Sequence, residues 1–289
     1  MRSDNVNSHH KQGARSESLR RGLEILLLLS VPPFEQEKSR ELGISQVALK
    51  LGLHKSQVHR AMKTLEDMGF LQKNPETGRY CLGLSSLQVG TAAEEQSGFF
   101  VETRPLLRSL AERAEAAVSL RILVQDKIFI VESAESPGFL RVTSFRGARL
   151  PWDFGAGSKV LTAFAPPGYA EELIRKHGLT RFTDQTIVDP ETYLDEVVLV
   201  RERGYSISNG EGIKGSYSVA IPVFLPTREQ VAVLVAATPS VDLTEERASL
   251  LLSMTKKTGD EIMRLMNERH SAPQTINSAA SNMKKRMAI

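Results

Sequence analysis

The 289-residue chain has one cysteine, Cys81, and one tryptophan, Trp152, and aromatic residues make up only 6% of it. A single cysteine excludes an intrachain disulfide and fits a reducing, cytoplasmic setting. Long apolar runs are also missing. Near the N-terminus the longest is Ile25–Leu29, far short of the ~20 residues a membrane helix needs. The opening MRSDNVNSHHKQG is polar and lacks the apolar segment of a secretory leader. No charge of one sign dominates, since the net charge is +3. Hydrophobic residues at 41% and charged residues at 25% are ordinary for a globular protein, and the length suits two domains. There is no internal repeat and no heptad run.

Net charge says little, but its distribution says more. Residues 1–90 hold 13 Lys and Arg against 9 acidic residues, an excess of +4, and the rest of the chain carries −1. The excess coincides with the segment 44–84, ISQVALKLGLHKSQVHRAMKTLEDMGFLQKNPETGRYCLGL. Val47, Ala48 and Leu51 form one side of a helix over Ser45–Leu51, and Gly52 stands where the chain must turn sharply. A second helix starts near Lys55, with Val58, Ala61, Met62 and Leu65 at spacings of three and four, and Gly69 ends it. Strands over 70–73 and 79–82 flank the turn 74–78. Helix, turn, helix and hairpin spell a winged helix-turn-helix, whose second helix is of the kind that enters a DNA major groove. Lys55, Ser56, Gln57, His59 and Arg60 share its polar face. Gln57 can pair with adenine, and Lys55 or Arg60 can reach guanine or phosphate. Lys63 is one turn further on, and Lys73 and Arg79 lie on the wing, all within reach of the DNA backbone. His54 and His59 are five apart and do not share a face as a metal pair would. No metal site and no cofactor is read.

Elsewhere the pattern predicts a helix over 18–29 ended by Pro32-Pro33, a polar connection over 34–44, and a helix over 84–93 with a break at Ser97-Gly98. Beyond residue 100, strands and helices alternate. Helices are expected over 103–116 (Pro105 in the first turn), 158–164, 169–177, 191–203 and 244–268. Strands are expected over 117–124, 127–132, 140–145, 205–208, 217–224 and 230–237. The segment PWDFGAGSKVLTAF (151–164) is not a Walker A loop, because its first glycine would fall at Trp152. It is not a nucleophile elbow either, since Ser158 lacks the flanking glycines. It reads as a glycine-relaxed loop entering a helix, whose open N–H groups near Ala156-Gly157-Ser158 can receive a carboxylate. Arg141, Arg146 and Arg149 are potential anion ligands but read as surface or interface residues. Trp152 is placed at a pocket mouth or a subunit interface.

The order and spacing of SLRRGLEILLLL (18–29), residues 52–84, LRVTSFRGARLPW (140–152), SKVLTAF (158–164), VRERGYSIS (200–208) and GSYSVAIPV (215–223) resemble the IclR family of bacterial transcriptional regulators. The resemblance implies an α+β protein: tail 1–16, winged helix 17–83, linker helix 84–97, GAF-like α/β effector-binding domain 98–270 and tail 271–289, both tails disordered. It implies homodimers or tetramers on palindromic double-stranded operators, repression among the modes of action, and a small-molecule effector. It places the effector among Phe139, Val142, Gly155, Ala156, Gly157, Ser208, Glu211, Ser218, Val235 and Ala237. The chain departs from the family's pattern at Asp153, Phe154 and Gly155, at Ser218 where a cysteine is common, and at Val235 and Ala237 where binders of small carboxylates have serines. The apolar wall that results predicts an aromatic or medium-chain acid. The competing classes are a ligand-independent DNA-binding or interaction protein and an enzyme with an accessory winged helix. No convergent acid, base or nucleophile set supports catalysis.

Overall fold

The computed structural model describes residues 16–30, 41–97, 99–124, 126–135, 145–226, 231–241 and 243–271. Residues 140–144 of the strand expected over 140–145, 34–40 of the connection over 34–44, and 1–15 and 272–289 of the tails lie outside them. Two compact units divide between Ala93 and Glu94.

In the first unit, α1 (Glu17–Ser30), α2 (Ile44–Leu51) and α3 (Lys55–Asp67) enclose a small core. Ile25, Val47, Val58 and Met62 are fully buried there, with Leu42, Leu71 and Tyr80 beside them. Gly52 adopts φ +64° between α2 and α3, and its N–H returns to the carbonyls of Ala48 and Leu49. Only a residue without Cβ makes that left-handed stop cheaply. Strands β1 (Leu71–Lys73) and β2 (Tyr80–Leu82) pair antiparallel, and Leu42 adds a bridge to Tyr80. The helix α4 (Leu84–Ser97) follows directly.

The second unit begins with α5 (Phe99–Ala114). Helix formation starts four residues before the expected point, so Pro105 is in the helix interior and not in its first turn. Proline there removes one backbone donor, a cost offset by burying Leu107 and Leu110. Strands β3 (Ala117–Val124), β4 (Lys127–Ala134) and β5 (Arg149–Pro151) come next, then α6 (Gly155–Ala163), α7 (Tyr169–His177) and α8 (Pro190–Arg203). The chain continues through β6 (Ser206–Asn209), β7 (Ser216–Phe224), β8 (Val231–Pro239) and α9 (Glu245–Ser271). Thr244 caps α9, accepting from the Arg247 N–H at 3.2 Å.

The six strands form one sheet in the order β5-β4-β3-β8-β7-β6, with antiparallel neighbours throughout. Alternation on each strand sorts side chains between two layers. Leu120, Val219, Ile221, Leu234 and Ala236 pack with Leu107, Leu110, Leu251 and Ile262 of α5 and α9. Ala220, Val233 and Val235 pack with Val160, Leu173, Tyr193 and Val200 of α6, α7 and α8. Trp152 lies in this second core, buried and edge-on to Tyr193 with ring centroids 5.8 Å apart. It is a packing residue within the domain, not one at a pocket mouth. No helix among the described residues is long and apolar enough to cross a membrane.

Candidate functional site

The polar face of α3 is set by what its other side buries. Val58 and Met62 point into the core, so Lys55, Ser56, His59, Arg60 and Lys63 are exposed. The helix start is locked by a cap that the usual residue preferences miss. His54 Nδ1 lies 3.4 Å from the Ser56 N–H and 2.8 Å from the Ser56 hydroxyl. Gln57 is half-buried, and its Oε1 accepts from the His54 N–H at 3.4 Å, completing a capping box. Ser56 and Gln57, expected as DNA contacts, therefore also hold the helix terminus. Lys63 lies 3.2 Å from Glu66 and 3.0 Å from Asp67. Exposed pairs of this kind are weak enough for a phosphate to replace. Among the described residues Lys55, His59 and Arg60 form no ion pair.

On the wing, Lys73 and Arg79 are exposed, and the Lys73 ammonium stands 5.8 Å from the Tyr80 ring centroid. The turn between β1 and β2 is built by Asn74, whose Oδ1 accepts from the N–H groups of Glu76 and Thr77 at 2.9 and 3.3 Å. Glu41 receives the Asn74 amide at 2.7 Å and the Thr77 hydroxyl at 2.8 Å. These hydrogen bonds hold its carboxyl below the usual range. Nothing in the spacing of the sequence pointed to this long-range tie.

In the second unit, sheet register collects most of the effector residues. Ser208 lies opposite Ser218, and Ser218 opposite Ala237. In the next row Val235 lies opposite Ser119. The first turn of α6 crosses above them. A Cβ built on Gly155 would come 4.0 Å from the Ser208 hydroxyl, and one on Gly157 would come 3.2 Å from Val235 Cγ2. Gly155, Ala156 and Gly157 are helical, so the expected entry loop is the first turn of the helix itself. Its N-cap, Phe154, offers no side-chain hydrogen bond. Phe139 and Val142 lie outside the described residues.

Glu211 is occupied. Its carboxylate holds the buried Lys159 ammonium at 2.8 and 3.1 Å, and Lys159 also donates to the Ile207 carbonyl at 2.8 Å. Glu211 thus acts as a strut between α6 and the segment after β6, a partner role the resemblance did not imply. Lys159 and Arg121 are two buried charges that sequence reading missed. Each was visible as a lone basic residue inside an apolar run. Arg121 is 6% exposed, and its Nε donates to the Ser119 hydroxyl at 2.8 Å. Asp153 is also buried; one oxygen accepts from the Thr180 N–H at 2.5 Å, and the other has no donor among the described residues. Tyr193, in the layer beneath, is pushed up to about 12 by burial. Two open clefts, about 190 Å³ beside Leu250 and about 200 Å³ beside Val198, are lined by none of this cluster.

Arg146, expected at the surface or an interface, forks onto Glu94 at 2.9 and 3.1 Å. Arg104 pairs with Glu94 and, at 2.9 Å, with Glu132. Arg149 lies 4.8 Å from the Phe129 ring centroid.

A winged helix-turn-helix with an exposed basic face, in one chain with an α/β sheet domain, is the architecture of a DNA-binding transcriptional regulator. Residues 18–75 match the model of the IclR helix-turn-helix domain, and residues 93–264 match that of the bacterial transcriptional regulator IclR C-terminal. The chain belongs to the IclR family. It is 30% identical over 234 residues to the HTH-type transcriptional regulator BhcR of Paracoccus denitrificans, covering 81% of each chain. An IclR regulator structure from Alicyclobacillus acidocaldarius superposes with a TM-score of 0.78 at 25% identity, over 87% of this chain and 99% of that one. An IclR homologue from Microbacterium hydrocarbonoxydans, crystallised with 4-hydroxybenzoate, shares the fold with a TM-score of 0.69 at 19% identity, over 86% and 99%.

Proposed function

We propose that this regulator reads a palindromic operator as a homodimer or tetramer in the cytoplasm, and that an organic acid bound in the C-terminal domain controls it. The division of labour follows the expected boundaries: residues 17–83 bind DNA, 84–97 link, and 98–270 take the effector. The observation that carries the DNA half is the outward row Lys55, His59 and Arg60 on a helix that buries Val58 and Met62 on its opposite side. Phosphate contacts from such a row position the helix, and base-edge contacts specify the sequence. The effector half is supported by the uncapped first turn of α6 above a sheet face that mixes Ser208 and Ser218 with Val235 and Ala237. A family member of the same fold that holds 4-hydroxybenzoate agrees with an acid of that size.

Control follows from differential affinity. An effector that binds one arrangement of the oligomer better than another shifts the population toward it, and the DNA affinity of the mixture moves by no more than that difference. The test is an anisotropy titration of operator duplex with and without candidate acids. A shifted binding curve is expected with an aromatic or medium-chain acid. Unchanged curves across a broad acid panel, together with no calorimetric binding, contradict effector control.

A further inference from the structure

We infer that Arg121 is the anion anchor of the effector site, and that the effector presents to it a carboxylate carried on an apolar body. The inference rests on reading the C-terminal domain as the effector-binding part. Arg121 stands in the middle of the sheet, on β3, and is 6% exposed. Its Nε is satisfied by Ser119, whereas among the described residues neither Nη group has a hydrogen-bond partner and no carboxylate pairs with it. Burial pulls its pKa down to about 10, and no acidic side chain offsets that pull. Buried charges in folded proteins are ordinarily paired, because an unpaired one loses much of its hydration.

The neighbourhood makes the imbalance sharper. A Cβ on Gly157 would stand 3.5 Å from Arg121 Nη1, so the guanidinium lies against the first turn of α6. That turn has no side-chain cap and carries the positive end of the helix. Among the described residues, two positive features meet with no acceptor between them. A planar fork of N–H donors beside backbone N–H groups matches a carboxylate. Val233 and Val235, at 3.6 and 3.2 Å from the same Gly157 position, supply an apolar wall for the rest of the ligand.

The test uses the full chain, with thermal melting and calorimetry against sodium benzoate, sodium hexanoate, the neutral analogue benzamide and inorganic phosphate. Benzoate or hexanoate should raise Tm, and benzamide and phosphate should not. Arg121→Gln should weaken acid binding by about tenfold or more. Arg121→Met keeps the length and removes the charge. It should bind acid as poorly and, in buffer alone, melt at or above the wild type. Equal acid binding by wild type and Arg121→Gln overturns the anchor while leaving effector control standing. Binding of benzamide or phosphate alone overturns the carboxylate, and so does failure of both acids to bind the wild type. A much lower melting point for Arg121→Met in buffer shows the guanidinium already satisfied within the fold, which also overturns the proposal.

Discussion

Arg60 and Gln57 both occupy the start of α3, yet they are held differently. Arg60 is exposed and makes no ion pair among the described residues, whereas Gln57 bonds back to the His54 N–H. Arg60→Ala should weaken binding to all duplexes and lower the slope of log affinity against log salt by about one. Gln57→Ala should act twice, lowering helix stability and relaxing one base preference by about 1–3 kcal/mol. Gln57→Glu keeps the acceptor for His54 but loses the amide donors, so Tm should hold while base preference goes. If Gln57→Ala changes Tm and no base preference, capping is its whole role. The exposed polar residues of α3 were legible in the sequence because helical period alone separates Val58 and Met62 from Lys55 and Arg60. Arg121 and Lys159 were not, because whether a basic side chain in an apolar run is buried, and against what, is decided by residues far along the chain: Val233, opposite Arg121 on β8, and Glu211, some fifty residues on from Lys159.

At the scale of elements, the wing depends on a close approach of two backbone segments. Gly83 leaves β2 against Gly69, and a Cβ there would come within 2.3 Å of the Gly69 carbonyl oxygen. Backbone cannot give way as a side-chain tip can. Gly83→Ala should therefore destabilise the first unit by about 1–3 kcal/mol, seen as an earlier melting transition. An unchanged melt would mean that the turn relaxes freely. Strong local signals made several elements readable. The predicted helix 169–177 matches α7, stopped by Gly178, and α8 starts within one residue of expectation behind its Asp189 cap. Other boundaries moved where tertiary burial overrode local preference. Pro105 was tolerated inside α5 because that helix packs on the sheet; Gly155 opens α6 at φ +63°, and a Cβ on Gly157 would crowd Val235 at 3.2 Å. β5 has only three residues and exists through pairing with β4, so no periodicity could reveal it.

At the scale of the whole molecule, acid stability reports on the cluster of Glu94, Arg104, Glu132 and Arg146. Glu94 is drawn down to about 2 by the guanidinium groups of Arg146 and Arg104, from an ordinary 4.5. A depressed carboxylate contributes its stability in full above its unfolded pKa and loses it as pH falls toward the folded value. The Tm difference between wild type and Glu94→Gln should therefore be constant above about pH 4.5 and shrink toward about pH 2. A difference that does not vary with pH would mean that Glu94 acts through packing alone.

The account turns on the exposed side of α3 lying against a duplex. The most direct test is selection of binding sites from a pool of random duplexes by the full chain, followed by anisotropy titration of the recovered sequence and a scrambled control. The account predicts enrichment of an inverted repeat, bound about 10³-fold or more tighter than the scrambled duplex, with the preference reduced in Arg60→Ala. No enrichment, or equal affinity for recovered and scrambled duplexes at moderate salt, would contradict it.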